Sequence, residues 1–144
     1  MHAGGGLVWR TALTAVIVGL LAKQVAAQDS PPGEGIGCAL AVFSATAEVG
    51  KRCFSGQDQE FQASLAYSVS QLERFSIKNS HTTMADLETF EREQGHVGAP
   101  AALLCHGDGP SLYEHFRTLG AIRLRSMIDK MVSRPGKPTF GSCF

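Results

Sequence analysis

The sequence has no excess of charge of either sign, since 13 lysine and arginine residues are balanced by 13 aspartate and glutamate residues. Proteins that bind nucleic acid usually carry a clear basic excess, because their affinity comes largely from phosphate contacts. Removal of an N-terminal leader containing Arg10 and Lys23 would leave the remaining chain slightly acidic. We therefore expect no nucleic acid among its partners.

Acidic residues are absent before Asp29, and a continuous apolar stretch follows Arg10 and ends at Lys23. This pattern, followed by Val-Ala-Ala, is typical of a secretory signal peptide cleaved after Ala27. The alternative is an uncleaved anchor, but the stretch is shorter than the roughly 20 residues that a membrane-spanning helix needs. The sequence thus predicts a secreted or periplasmic protein with no stable membrane span after cleavage.

The division of the chain follows from this predicted signal peptide. We predict a signal peptide over residues 1–27, a flexible Pro/Gly-rich leader over 28–37 and a single helical domain over 38–144. The sequence contains no internal repeat, and the mature length suits one hydrophobic core.

All four cysteines lie after the predicted signal peptide, at Cys38, Cys53, Cys105 and Cys143. An even number of cysteines in an exported chain predicts two disulfides, and the sequence leaves all three pairings open. Whichever pairing holds, Cys143 must fasten the C-terminal tail.

Helical periodicity and capping signals predict the fold class. Between Asp58, a candidate N-cap, and residue 78, apolar residues recur at steps of three and four. They are Phe61, Leu65, Val69, Leu72 and Phe75. Residues 38–53 are too uniformly apolar to separate helix from strand by period, although their alanines favour a helix.

A second helix follows, with a capping box formed by Thr83 and Asp86 and a C-terminal cap at Gly95. Its apolar stripe is Met84, Leu87 and Phe90, and its exposed face is acidic, with Asp86, Glu88, Glu91 and Glu93.

Prolines and glycines divide the rest of the chain. Pro100 and Pro110 each begin a helix, Gly120 separates two helices, and the prolines after Arg134 prevent further helix. We expect an all-α fold, a small disulfide-stapled bundle of four to six short helices with an extended C-terminal tail.

The segment LLCHGDG places a thiol, an imidazole and a carboxylate within four positions, at Cys105, His106 and Asp108. Neighbouring residues at a helix end point about 100° apart, so they rarely form a catalytic pair. We assign Cys105 to a disulfide and Asp108 to the N-cap of the helix at Pro110. Only His106 is left without a structural reason.

Catalytic and metal-binding motifs are missing from the chain. No G-x-S-x-G sequence, phosphate-binding loop or H-E-x-x-H sequence occurs, and the histidines are too far apart for a helical metal site. We therefore expect no cofactor and no metal. A small hydrolase with His106 or His96 as general base and an acid from the neighbouring turn remains the enzymatic alternative.

A basic strip on the last predicted helix is the one positive sign of function. Arg123, Lys130 and Arg134 are spaced to lie on one side, and only Asp129 opposes them. The strip either faces the acidic helix, is merely solvated, or docks an anionic partner. We hypothesise an exported binding, adaptor or inhibitor-type module for an unknown protein or anionic envelope component, with a purely structural envelope protein as a further alternative.

Overall fold

The computed structural model describes residues 30–143, and every regular element in that range is an α-helix. The helices are α1 (Ile36–Cys53), α2 (Gln59–Asn79), α3 (Met84–Gln94), α4 (Ala101–Leu104), α5 (Gly109–Leu119) and α6 (Ala121–Val132). The predicted all-α bundle with an extended tail is confirmed. The predicted signal peptide lies outside the described residues. None of the helices described is long and apolar enough to cross a bilayer.

Helix α1 lies at the centre of the bundle because it is apolar around most of its circumference. It contacts α2, α3, α4 and α5, and its buried residues include Leu40, Phe43 and Val49. Small alanines such as Ala39 and Ala41 are also buried, which lets neighbouring helices approach closely. The segment 38–53 is therefore helical, as its alanine content favoured.

Helix α2 packs between α1 and α6. The predicted stripe forms its core face, since Phe61, Leu65, Leu72 and Phe75 are buried and Val69 is partly buried. Helix α6 contributes Leu124 and Ile128, both fully buried.

The two helices run in the same direction. Ser64 accepts a hydrogen bond from Arg125, and further along both helices Tyr67 donates one to Asp129. The C-terminal ends of α2 and α6 therefore meet at one end of the bundle.

The capping signals around α3 are confirmed. Thr83 Oγ1 accepts a hydrogen bond from the Asp86 backbone N–H, and the Asp86 carboxylate accepts one from the Thr83 N–H at 2.8 Å. The Gly95 N–H donates to the Glu91 carbonyl and ends the helix. Met84, however, is 47% exposed at the first residue of the helix, so its predicted place in the apolar stripe is wrong.

The predicted N-cap at Asp58 is correct in position but wrong in chemistry. Asp58 directly precedes α2, yet its φ of 46° is left-handed and its side chain makes no capping hydrogen bond. The carboxylate instead lies 3.8 Å from the Arg117 guanidinium of α5. A tertiary ion pair has replaced the local cap.

Aromatic packing fixes α5 against α1. The fully buried Tyr113 ring stacks on Phe54 with centroids 4.4 Å apart and meets Phe61 edge-on at 5.2 Å. On the α1 side the ring lies over Gly50, where an added Cβ would come within 2.7 Å of Tyr113 Cε2. Gly50 is thus required by the space that the ring occupies.

Two disulfides join the sequence-distant parts of the chain, and the pairing that the sequence left open is Cys38–Cys143 and Cys53–Cys105. The second connects the end of α1 to the end of α4, with Cα atoms 5.5 Å apart. The first fastens the tail, as predicted.

The tail after α6 returns to the start of α1, where the Thr139 N–H donates to the Gly33 carbonyl at 2.9 Å. Ile36 is fully buried and already helical. The prediction of a flexible leader through residue 37 is therefore wrong at its C-terminal end. The reason is tertiary, since the distant tail covers these residues.

Candidate functional site

The basic strip is exposed along α6 and just beyond it. Arg123, Lys130 and Arg134 are all exposed, and within residues 30–143 none of them takes part in an ion pair. Arg134 donates a hydrogen bond of 3.1 Å to the Ser30 carbonyl. Because α6 packs chiefly on α2 and α3 chiefly on α1, the strip does not have the acidic helix as its main partner.

Other basic side chains lie near the C-terminal end of this strip. A depression of about 260 Å³ where α2 and α6 end is lined by Arg74 and Lys78 from α2 and by Val132, Ser133 and Pro135 from the end of α6. Because the two helices run in parallel, Arg74 and Lys78 of α2 lie at the same end of the bundle as Arg134.

The LLCHGDG segment separates into independent parts in the structure. Cys105 is bonded to Cys53, and His106 and Asp108 are exposed. Asp108 directly precedes α5 but has helical dihedral angles, and its side chain makes no capping hydrogen bond. The predicted side-chain cap is therefore wrong, although Pro110 does lie in the first turn.

The histidines do not assemble a site among the described residues. His96, His106 and His115 are exposed and belong to a loop, a turn and α5, respectively. No imidazole in residues 30–143 makes a hydrogen bond or ion pair with a carboxylate, and that range contains no cluster of three or more metal-ligating side chains. The structure thus brings together no acid and base near His106.

A groove with a volume of about 420 Å³ lies between α1, α2 and α3. Small apolar side chains form one part of its wall: Ala47, Ala66, Val69 and Val97. Polar and charged side chains form the other: Ser44, Glu48, Lys51, Gln62, Ser70, Glu73 and Glu91. We call this feature the three-helix groove.

Glu48 is a carboxylate of the groove with well-formed hydrogen bonds inside the protein. Its side chain is buried, and Oε1 accepts hydrogen bonds from Arg52 Nε at 2.9 Å and from the Gly98 N–H at 3.4 Å. Arg52 neutralises its charge from the next turn of α1. Glu48 therefore holds the loop after α3 against α1.

Glu91 has a different environment. The pKa of its carboxyl group is raised from 4.5 to about 7, chiefly by burial and in addition by the negative charge of Glu73, by a hydrogen bond with Glu73 and, to a smaller extent, by the charge of Glu88. The Ser44 hydroxyl lowers the pKa in part. A carboxyl group from α2 and one from α3 therefore lie together, and the charge of Glu73 disfavours ionisation of Glu91.

Ser44 is buried at the base of this pair, with 3% of its surface exposed. Other buried hydroxyls in α1 and α2 donate to the carbonyl four residues earlier, as Thr46, Ser64 and Ser68 do. Ser44 Oγ makes no such bond, and neither it nor the buried Glu91 Oε1 has a hydrogen-bond partner with good geometry within the described part of the chain. The contact through which the Ser44 hydroxyl lowers the pKa of Glu91 thus lacks the geometry of a good hydrogen bond.

This site is not apparent in the sequence because its carboxylates come from separate helices. Glu91 was assigned to the exposed face of α3, but its side chain is half-buried in the groove. Glu91 follows the buried Leu87 by four residues, and that spacing places both on the same side of the helix. This was the available signal, whereas Ser44 and Glu73 carried none.

Comparisons of this chain with protein-family models, with curated proteins and with solved structures find no match.

Proposed function

We propose that the mature chain is an exported, non-enzymatic binding module and that its ligand occupies the three-helix groove. The leader pattern at residues 1–27 supports export, and two disulfides suit an oxidising compartment. The observation that carries the proposal is that Ser44 Oγ and Glu91 Oε1 are buried in one groove without a hydrogen bond of good geometry to any residue that the structure describes. Native proteins rarely leave such atoms unsatisfied, and a ligand would supply the missing hydrogen bonds.

The composition of the groove also supports binding. Ligand sites usually combine a mostly apolar wall with a few convergent polar groups, and their volumes are about 300–1,000 Å³. The three-helix groove, at about 420 Å³, has both parts. Its polar groups are held on regular helices, which keeps their positions well defined.

The test is an NMR titration of the isotope-labelled protein, purified after export, with four probes that each carry a six-carbon chain: hexylamine, hexanol, hexanoate and hexyltrimethylammonium. Saturable shifts of backbone amides around the groove with any one of them would support the proposal. Shifts confined to α6, or none with all four probes, would contradict it.

A matched pair of variants shows whether the groove is the binding site. Ala66 and Ala63 are both exposed on α2, but only Ala66 lines the groove. We expect Ala66→Phe to weaken probe binding at least tenfold because the ring fills the groove. Ala63→Phe adds the same ring outside the groove and should leave the affinity unchanged. Equal effects of the two variants would exclude the groove.

We further propose that the basic strip of Arg123, Lys130 and Arg134 is the module's contact with an anionic envelope component. In support, Asp129, the one acidic residue of α6, is hydrogen-bonded to Tyr67, and the cations have no ion-pair partner within the described range. Exposed charges without local neutralisation attract an oppositely charged surface, and salt weakens that attraction.

Co-sedimentation with phosphatidylglycerol vesicles tests this second contact. We expect the protein to bind the vesicles at low salt and to dissociate from them at high salt. The single variants Arg123→Glu and Lys130→Glu should each bind with severalfold lower affinity. Arg92→Glu on α3 makes the same change of charge and should bind normally. Binding that Arg92→Glu reduces as much as the strip variants would reflect net charge and would remove the strip from the proposal.

A further inference from the structure

The charges that line the three-helix groove are not balanced. Glu48 is paired with Arg52, whereas Glu73 and Glu91 take part in no ion pair in the described part of the chain. The one cation that lines the groove is Lys51, which is exposed on the last turn of α1. The described residues therefore leave the negative charge of Glu73 and Glu91 without an ion-pair partner.

The hydrogen-bonding groups of the groove further narrow the chemical class of the ligand. At this pair lie the carboxyl oxygens of Glu73 and Glu91 and the hydroxyl of Ser44, a residue with 3% of its surface exposed, and all of them can accept hydrogen bonds. A primary ammonium group carries one positive charge and three N–H donors, which is the complement of three clustered acceptors. A hydroxyl group offers one donor and no charge, and a carboxylate would be repelled.

The rest of the groove suits a short apolar body. Ala47, Ala66, Val69 and Val97 present methyl groups next to the carboxyl pair, so an alkyl chain attached to the ammonium would bury apolar surface there. The volume of about 420 Å³ fits a small molecule.

We infer that the ligand of the three-helix groove is a small primary amine with an apolar body, whose ammonium group lies between Glu73 and Glu91 beside Ser44. This inference rests on the proposed function and adds the chemical class of the ligand. The groups facing the ammonium would be Glu73 from α2, Glu91 with the nearby Glu88 from α3, and Ser44, Glu48 and Lys51 from α1.

Binding of such a ligand is coupled to loss of a proton. With a pKa of about 7, Glu91 is largely neutral at pH 6 and largely ionised at pH 8. A cation binds the ionised pair, so its affinity should fall on the order of tenfold between pH 8 and pH 6. A neutral probe in the same groove should show no such decrease.

The experiment compares the same four probes, each with a six-carbon chain, by calorimetry at pH 8 and low salt. We expect hexylamine to bind at least tenfold more tightly than hexanol. Hexyltrimethylammonium keeps the charge but has no N–H donor, and should also bind at least tenfold more weakly. Hexanoate should not bind measurably.

Variants separate the carboxyl pair from general charge. Glu73→Gln and Glu91→Gln should each reduce hexylamine affinity at least tenfold, whereas the exposed Glu93→Gln, with the same change of charge on α3, should not. Far-UV circular dichroism checks that each variant is folded, and the affinity for hexanol provides a second measure of an intact groove.

The outcomes distinguish this inference from the function on which it rests. Equal affinities for hexylamine and hexanol, with amide shifts at the groove, would overturn the amine inference and leave the binding module standing. An unchanged hexylamine affinity in Glu91→Gln would also overturn the inference. Absence of groove shifts with all four probes would overturn both.

Discussion

Tyr67 on α2 donates a hydrogen bond of 2.6 Å to Asp129 on α6, across 62 residues of sequence. Beside it, the Arg125 guanidinium lies 5.5 Å from the centre of the Tyr67 ring and donates to the Ser64 hydroxyl at 3.0 Å. Polar side chains on the surface thus join the two parallel helices above their shared apolar core. The hydrogen bond from Tyr67 also occupies Asp129, which is the one carboxylate of α6 and lies near the basic strip.

The Tyr67–Asp129 contact should be visible in a phenol titration. The hydrogen bond to Asp129 raises the pKa of Tyr67 above 10.0, because ionisation would place two anions together. We expect Asp129→Asn to lower one of the two tyrosine midpoints in an ultraviolet titration. The one tryptophan of the sequence, Trp9, lies in the predicted signal peptide, so a protein prepared without residues 1–27 gives a clear phenolate signal. Tyr67→Phe assigns the transition, and unchanged midpoints in Asp129→Asn would contradict the contact.

Glu91 should make the stability of the fold depend on pH. Its pKa is about 7 in the native state and 4.5 ordinarily, so between these values the native chain holds a proton that the unfolded chain lacks. The free energy of unfolding therefore decreases as pH rises through this window. For a half-buried group screened by solvent, we expect a loss of about 1–2 kcal/mol between pH 5 and pH 8.

Denaturant unfolding of the wild type and Glu91→Gln at several pH values measures this loss. Other groups also contribute to the pH profile, so the difference between the two proteins is the quantity to compare. The variant should gain stability relative to the wild type as pH rises. Glu93→Gln serves as the control and should follow the wild type. A constant difference between Glu91→Gln and the wild type would contradict the raised pKa.

Gly50 should not accept a side chain. A Cβ there would come within 2.7 Å of the buried Tyr113 ring, which also packs on Phe54 and Phe61 and has little freedom to move. We expect Gly50→Ala to lower the free energy of unfolding by about 1–3 kcal/mol, as is typical of overpacking. Gly107→Ala meets its nearest atom at 3.7 Å and should change stability little. Equal stability of the two variants by urea denaturation would contradict the packing.

The Cys53–Cys105 disulfide should contribute strongly to stability because it closes 52 residues of chain. Replacing both cysteines with alanine should cost about 2–4 kcal/mol, mainly through the greater freedom of the unfolded chain. Mass spectrometry after proteolysis checks the pairing, and urea denaturation measures the loss. Detection of a Cys53–Cys143 peptide in the wild type would contradict the observed connectivity.

Much of the fold was predictable because its signals are local. The capping box of Thr83 and Asp86 and the stripe from Phe61 to Phe75 depend on spacing within one helix, and the structure confirms both. Asp58 and Asp108 failed as side-chain caps because their backbones did not adopt the extended dihedral angles that capping requires. Asp58 instead contacts a guanidinium from another helix.

The candidate site was much less predictable. Its polar residues Ser44, Glu73 and Glu91 lie on three helices, and each has an ordinary local explanation as a helical serine or a surface acid. Only the packing of α1, α2 and α3 buries Ser44 and brings the two carboxyl groups together. No single segment of the sequence therefore reveals the burial and the neighbouring charge that raise the pKa of Glu91.

The amino-acid pattern by itself determined the helices, their main breaks and the presence of two disulfides, because these depend on spacing along the chain and on an even number of cysteines. Tertiary structure decided the pairing of Cys38 with Cys143, the burial of Ile36 beneath the tail and the raised pKa of Glu91. Each of these depends on groups far apart in sequence that come together in space. Burial and the neighbouring charge of Glu73, rather than the identity of the residue, set the protonation of Glu91.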